Sequence, residues 1–215
     1  MSPAAASVPR VVLASTSRYR AQLLQRLLPD FTRAAPGVDE QPLPDEAPAA
    51  RAARLALAKA RVVAEGIHDA IVIGSDQVAA LDARVLDKPG NAANAIAQLA
   101  ECSGRTVDFH TALCVLDTRR PGHCAQAVDL TRVVFRTLSD AEISGYVARE
   151  QPLDCAGSFK AEGLGIALFE RIESRDPSAL IGLPLIALAG MLRDGGLARP
   201  VCLRTQGPTR VTHAG

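Results

Sequence analysis

The stretch Ala70-Ile71-Val72-Ile73-Gly74-Ser75-Asp76-Gln77 constrains this chain more than any other. Its short apolar run, rich in β-branched residues, reads as a strand buried on both faces, as in a sheet with helices on each side. The run passes directly into Gly74, Ser75 and Asp76. Glycine lets the backbone approach another group closely. A strand that ends here would set Ser75 and Asp76 where open α/β sheets bind ligands. A partly desolvated carboxylate needs a cation, a metal or a proton beside it. The same three residues also suit a turn or a helix cap. The segment alone leaves both readings open.

The totals exclude several classes. The chain has 215 residues, 48% of them apolar and 22% charged, enough for one large domain or two lobes with a real core. A net charge of +1 lacks the basic excess of a nucleic-acid polymer or membrane binder, and leaves room for a small anionic substrate. No apolar run approaches the length of a membrane span. Met1 to Pro9 has no cationic start with a long apolar core, so it reads as a flexible arm and not a secretion signal. Cys102, Cys114, Cys124, Cys155 and Cys202 are odd in number and form no C-x-x-C, so neither a zinc site nor a disulfide framework is indicated. A reducing cytoplasm is the expected compartment.

In chain order, Arg10 to Ala14 reads as a first strand, Ser15-Thr16-Ser17 as N-cap candidates, and Arg18 to Leu28 as a helix with Leu23, Leu24, Leu27 and Leu28 inside. Arg18 and Arg20 oppose the helix dipole in its first turn. With the hydroxyls and free N–H groups they suit an anion site, or else lie solvated. Phe31 to Ala35 is a candidate strand, and Pro36 to Pro48 a loop carrying Asp39 and Glu40. Ala49 to Glu65 reads as a helix. At about 100° per residue Arg51, Arg54, Arg61 and Glu65 share one arc, while Lys59 projects among Ala52, Ala56 and Val63. A lysine on that packing side needs an anionic partner or must snorkel; the partner is favoured.

Gln77 to Leu81 continues extended, Arg84 to Leu86 returns, and the turn at Pro89-Gly90 holds Lys88 at its edge. Asn91 to Glu101 is a helix. Thr106 to Leu116 and Val128 to Phe135 form a hairpin across Thr118 to Gln126, with His110 as a structural residue. Ser139 to Glu142 is a capping box opening a helix to Glu150. In the glycine-rich stretch after Asp154, an extended chain would put Lys160 and Glu162 on one face. Ile166 to Ile172 reads as a strand, Leu185 to Arg193 as a helix, and residues 196–215 as a loose tail. The expected fold is α/β: a mixed, twisted sheet with flanking helices and two lobes around a central cleft, occupying residues 10–195.

The chemical candidates are Ser15, Arg20, Glu40, Lys59, Asp76, Lys88 and Lys160. Several cations with two or three carboxylates suit a polyphosphate and a divalent metal, Mg²⁺ or Mn²⁺, or a carboxylate that takes a proton from attacking water. Walker A, H-E-x-x-H, G-x-G-x-x-G and G-x-S-x-G are all absent.

Leu13-Ala14-Ser15-Thr16-Ser17-Arg18-Tyr19-Arg20, Val38-Asp39-Glu40, Gly74-Ser75-Asp76-Gln77-Val78, Asp87-Lys88-Pro89 and Ser103-Gly104-Arg105, in that order, resemble the Maf family of nucleotide pyrophosphatases from Val11 to about Leu192. The resemblance implies a Maf/ITPase-like fold and hydrolysis of a nucleoside triphosphate between its α and β phosphates, with a divalent cation. It implies Asp76 as proton acceptor, Ser15, Arg20, Glu40, Lys59 and Lys88 as helpers, Glu40 and Asp76 as metal ligands, and a homodimer. Tyr19, Gln77 and Glu162 stand at its specificity positions, with Lys160 nearby. The commoner pattern there is Arg, Thr and Gln, which goes with dTTP and UTP; an aromatic, Gln and Glu resemble the branch acting on 7-methyl-GTP. A cationic purine would gain roughly 0.5–2 kcal/mol by stacking on Tyr19, and Glu162 could accept from its N–H edge. The chain departs from the family in having Arg18 for a usual proline and Ala21 for a frequent arginine; Arg18 is a candidate to replace that charge. A nucleotide-binding regulator of septum formation is the alternative of another class.

Overall fold

The structure, a computed structural model, describes residues 9–195. The tail over 196–215 and all of the arm but Pro9 lie outside the described residues. Seven strands form one sheet. β1 (Arg10–Ala14), β2 (Thr32–Ala34) and β3 (Ala70–Leu81) run parallel in the order β2-β1-β3. β5 (Thr106–Asp117), β6 (Cys124–Phe135) and β7 (Phe169–Glu173) extend the sheet antiparallel from β3, and β4 (Arg84–Leu86) pairs with the end of β3.

Alternation along β1, β3 and β5 sorts apolar residues to two faces. Val11, Leu13, Ile71, Ile73, Leu113 and Val115 face α1 (Arg18–Gln25) and α5 (Leu185–Asp194), meeting Leu23, Leu24, Leu188 and Leu192. Val12, Ala14, Val72, Ala112 and Cys114 face α2 (Pro48–Ala64). The far half of the sheet carries its own core against α3 (Ala92–Cys102) and α4 (Asp140–Glu150). There Phe109, Phe135, Phe159 and Phe169 meet edge to face at 4.7–5.7 Å between ring centres. This is the mixed α/β architecture expected, with an apolar cluster in each half.

Asp76 does not end a strand. β3 continues through it to Leu81, because β5 pairs with Ile71 to Ala80 and β4 with Ala79 to Leu81, satisfying the backbone. Only the parallel partner β1 stops, at Ala14 opposite Gly74. Asp76 thus stands just beyond the parallel part of the sheet, in mid-strand. The expected helix to Leu28 ends at Gln25, and the hairpin is tighter than expected, β6 starting at Cys124. The expected strand from Ile166 is a 3₁₀ turn over Leu164–Leu168 followed by β7. At Gly165 a Cβ would lie 2.4 Å from the Lys160 carbonyl oxygen, so the chain doubles back there and cannot extend. For the same reason Lys160 and Glu162 do not share a strand face.

The N-termini of the helices follow their caps. Ser139 and Glu142 exchange hydrogen bonds as a complete capping box on α4, and the Asn91 side chain caps α3. α2 is different. It has no side-chain cap, begins at Pro48, and buries a row of small residues, Ala52, Ala56 and Ala60. That row lies so close to β3 that a Cβ on Gly74 would be 2.2 Å from the Ala56 carbonyl oxygen and 2.9 Å from the Ala60 Cβ. Gly74→Ala is therefore expected to push α2 off the sheet and cost ~1–3 kcal/mol. Urea unfolding of the two proteins checks this, and a parent-like midpoint with an unchanged m value would show that the helix has room to move.

Candidate functional site

A cleft of about 750 Å³ opens beside the outer half of β3, and residues from the Ser15–Arg20 turn, α2 and the 176–186 loop line it. Ser15, Tyr19, Arg20, Glu40, Lys59, Asp76, Gln77, Lys88 and Glu162, nine of the ten residues expected at the site, line this one cleft.

At its base the close approach of α2 carries Lys59 onto β3. Lys59 Nζ donates to Asp76 Oδ1 at 2.6 Å and lies 2.6 Å from Glu40 Oε1. Lys59 and Asp76 are 5% and 7% exposed, so the buried ammonium has the anionic partner its position required. Asp76 Oδ2 has no protein hydrogen bond among the described residues. The Glu40 carboxyl is pushed up by partial burial, but the Lys59 hydrogen bond and the charges of Lys59, Lys88 and Arg20 overcome this and hold it below its ordinary value.

The Ser15–Arg20 turn supplies the next wall. Ser15 Oγ accepts from the Ser17 N–H at 3.1 Å and from Arg20 Nη1 at 3.5 Å. Arg20 Nε donates to the Gly182 carbonyl at 2.9 Å. Burial lowers the Arg20 pKa, with Asp76 and Glu40 opposing it. Arg18 takes another direction. Its guanidinium lies 4.7 Å over the Tyr19 ring and donates to the Tyr19 hydroxyl at 2.7 Å. It serves the ring end of the cleft, and the expected replacement of a phosphate-side charge does not occur. Burial raises the Tyr19 hydroxyl, the Arg18 hydrogen bond opposing.

Gln77 is fixed by the 176–186 loop. Its Nε2 lies 2.9 Å from Thr111 Oγ1, 3.0 Å from the Ala179 carbonyl and 3.1 Å from the Leu180 carbonyl. Two carbonyl acceptors decide which end of the amide is nitrogen, and leave its oxygen as the polar atom for the cleft. The loop is in turn knotted by Asp176, 4% exposed. Asp176 Oδ1 accepts from the Ser178 N–H at 3.0 Å and lies 2.5 Å from Ser178 Oγ, and Oδ2 accepts from the Ile186 N–H at 2.6 Å. Carbonyls of one loop therefore hold both Arg20 and Gln77, and Gly182 also receives Ser75 Oγ at 2.9 Å.

Lys160 falls elsewhere. Its Nζ donates to the Glu150 and Gln151 carbonyls at 2.6 and 3.2 Å, at the end of α4, and it does not line the cleft. Those carbonyls have no intrahelical donors and attract a cation. The substrate-binding place expected for Lys160 is thus taken by a helix cap. His110 also lies outside the cleft lining; burial lowers its pKa, Asp108 opposing. Among the lining residues that were not expected at the site are the charged Arg51 and Asp154. Arg51 had a signal, since it shares four-residue spacing with Leu55 and Lys59. Asp154 had none, because a loop fold brings it there.

The Maf-like family model matches residues 10–195. The chain belongs to the Maf family. Among its Maf relatives is the 7-methyl-GTP pyrophosphatase of Xanthomonas oryzae pv. oryzae, 56% identical over 193 residues, which are 90% of this chain and all of that protein. The 7-methyl-GTP pyrophosphatase of Burkholderia pseudomallei is 56% identical over 196 residues, covering 89% of this chain and 90% of its own. A HAM1 protein from Coxiella burnetii has a similar fold, with TM-score 0.50 and 16% identity over 87% of this chain and all of that one. No helix among the described residues is long and apolar enough to cross a membrane.

The Asp176 knot is open to test in this Maf protein. Asp176→Asn must turn an amide N–H₂ toward either the Ser178 or the Ile186 N–H. It should cost about 1–3 kcal/mol in denaturant unfolding, since a buried donor loses its acceptor. A parent-like unfolding midpoint would show that the loop closes without the carboxylate.

Proposed function

We propose that this protein hydrolyses 7-methyl-GTP to 7-methyl-GMP and pyrophosphate in the cytoplasm. The observation that carries the reading is the Asp76–Lys59–Glu40 cluster at the base of a cleft with cations on one side and an aromatic ring with carboxylates on the other. Relatives 56% identical bear the name of that activity.

In the reaction, water oxygen attacks the α phosphorus, the bond from that phosphorus to the α–β bridging oxygen breaks, and pyrophosphate leaves with the bond's electron pair. Lys59 fixes the Asp76 carboxylate through Oδ1 and leaves Oδ2 to take the proton from water. Arg20 and Lys88 donate to phosphate oxygens and offset the charge that develops on them. Ser15 holds the Ser15–Arg20 turn in shape by accepting from Ser17 and Arg20.

Two carboxylates also suit a divalent cation. Glu40 Oε1 and Asp76 Oδ1 each lie 2.6 Å from the Lys59 ammonium nitrogen, which sets the two carboxyl groups side by side and leaves the second oxygen of each for a cation beside Lys59. Among the described residues no third His, Cys, Asp or Glu joins them. That matches Mg²⁺ or Mn²⁺, which sites of this kind hold through one or two carboxylates with substrate phosphates and water. Glu40 and Asp76 would hold the ion, which would supply further charge neutralisation at the phosphates.

At the other end, Tyr19 offers a ring face to the base, while Glu162 and the Gln77 amide oxygen are acceptors for the guanine N–H edge.

Asp76→Asn should keep the fold and lose ~10²–10⁴-fold in turnover, read as pyrophosphate release with Mg²⁺ or Mn²⁺ present. Full turnover in that variant would remove Asp76 as the base. A parent that releases pyrophosphate from no nucleotide would instead favour a binding regulator.

Selectivity is read by kcat/KM across 7-methyl-GTP, GTP and UTP. Tyr19→Ala should lower the 7-methyl-GTP to GTP ratio roughly 2- to 30-fold, the size of a lost cation–π contact. Glu162→Gln should lower it too, by exchanging a charged acceptor for an amide. A parent that prefers UTP or dTTP would reject the 7-methyl-GTP assignment and keep the pyrophosphatase one.

A further inference from the structure

Arg51 is a second cation on the cleft face of α2. It stands eight residues before Lys59, with Leu55 midway, and all three line the cleft. Four-residue spacing stacks such side chains along one side of a helix. Only 12% of the Arg51 side chain is exposed. Its polar contacts are few: Nη2 donates to the Glu40 carbonyl at 3.0 Å and lies 3.7 Å from Asp87 Oδ1, on a carboxylate 75% exposed. Its Nε is the one buried side-chain nitrogen or oxygen among the described residues that lacks a hydrogen-bond partner.

A buried guanidinium N–H without an acceptor is costly, so such a group calls for an explanation. The Asp87 contact is long, exposed and screened, and cannot supply one. A phosphate can, since its oxygens match the planar fork of an arginine. Turning the guanidinium about its terminal bonds would bring Nε and one Nη to the cleft and give up only those two contacts. Arg51 also has a side. It touches Glu40 and Asp87, the neighbourhood of Lys59 and Lys88, and makes no hydrogen bond or ion pair with Arg18, Tyr19, Asp154 or Glu162.

We infer that Arg51 binds the pyrophosphate half of the nucleotide, donating Nε–H to one of its oxygens. The inference rests on the pyrophosphatase reading of this cleft. It adds a contact that holds the leaving group and that the released product keeps.

The test is calorimetric binding of inorganic pyrophosphate to the full chain, with Mg²⁺ present. Parent and Arg51→Met are compared, and 7-methyl-GMP is the second ligand. Arg51→Met should weaken pyrophosphate binding roughly 10- to 100-fold, the size of a lost charge-assisted hydrogen bond. It should change 7-methyl-GMP binding less than about twofold, and its melting temperature should not fall, because the orphaned donor is gone. Arg51→Gln, uncharged and shorter, takes its place with the same expected loss if the methionine variant does not fold. Parent-like pyrophosphate binding in the folded variant would overturn the inference, and so would an equal loss for both ligands. A parent that binds pyrophosphate through Arg51 but cleaves no nucleotide would overturn the enzyme reading and leave this contact standing.

Discussion

Helix α2 lies so close to β3 that a single methyl group does not fit between them at Gly74. Much of the cleft follows from that contact. Ala52, Ala56 and Ala60 give the helix a flat side, and Gly74 presents no side chain where the Ala56 carbonyl and the Ala60 Cβ come closest. The next residue round the helix, Lys59, is thereby delivered to Asp76, two residues along the strand from Gly74. A buried ion pair is a poor source of stability, because the desolvation of both charges offsets their attraction. The stability of this region comes from the small-residue packing and the sheet. The pair instead fixes where a carboxylate and an ammonium sit, and leaves Asp76 with one engaged oxygen and one available.

A second constraint ties the two ends of the cleft together. The loop closed by Asp176 uses its Gly182 carbonyl to hold Arg20 and Ser75, and its Ala179 and Leu180 carbonyls to hold Gln77. Arg20 and Gln77, assigned to phosphate and base in the proposed function, thus share one backbone support. A shift of this loop would move both, so on the proposed function binding of the base and alignment of the phosphates would be mechanically linked. Backbone carbonyls suit this use, since their positions depend on the loop's closure and little on its side chains.

Much of this was legible because it is local. The β3 run, the Ser139–Glu142 box and the misplaced-looking Lys59 each carry their reason within a few residues. The partner for Lys59 followed from the cost of burying an unpaired ammonium. What the sequence hid depends on distant pairing. Asp76 reads as a strand's end until Ala112, far along the chain, supplies its antiparallel neighbour. Lys160 reads as a cleft residue until α4 ends beside it with bare carbonyls. Arg51 reads as one of four charged residues on one arc of the helix, and only the fold separates them, with Arg54 pairing with Glu46 at 2.5 and 2.7 Å and Arg51 lining the cleft.

The base end raises a question of charge. Arg18 already lies over the Tyr19 ring, and a second cation on the same face would have to displace it. An exposed cation–π contact is worth only about 0.5–1 kcal/mol, and a solvated arginine recovers its hydration when it leaves. A methylated purine has no such alternative, because its charge is spread over a ring that water solvates poorly. Asp154 acts on both Arg18 and Tyr19, and Glu162 lines the same wall. With Arg18 on the ring, two carboxylates and one guanidinium leave this end with an excess of one negative charge. With Arg18 swung out to water the excess is larger. For the proposed substrate, either arrangement would favour a base with a fixed positive charge over a neutral one of the same shape, and that preference would not depend on which face of Tyr19 the purine takes.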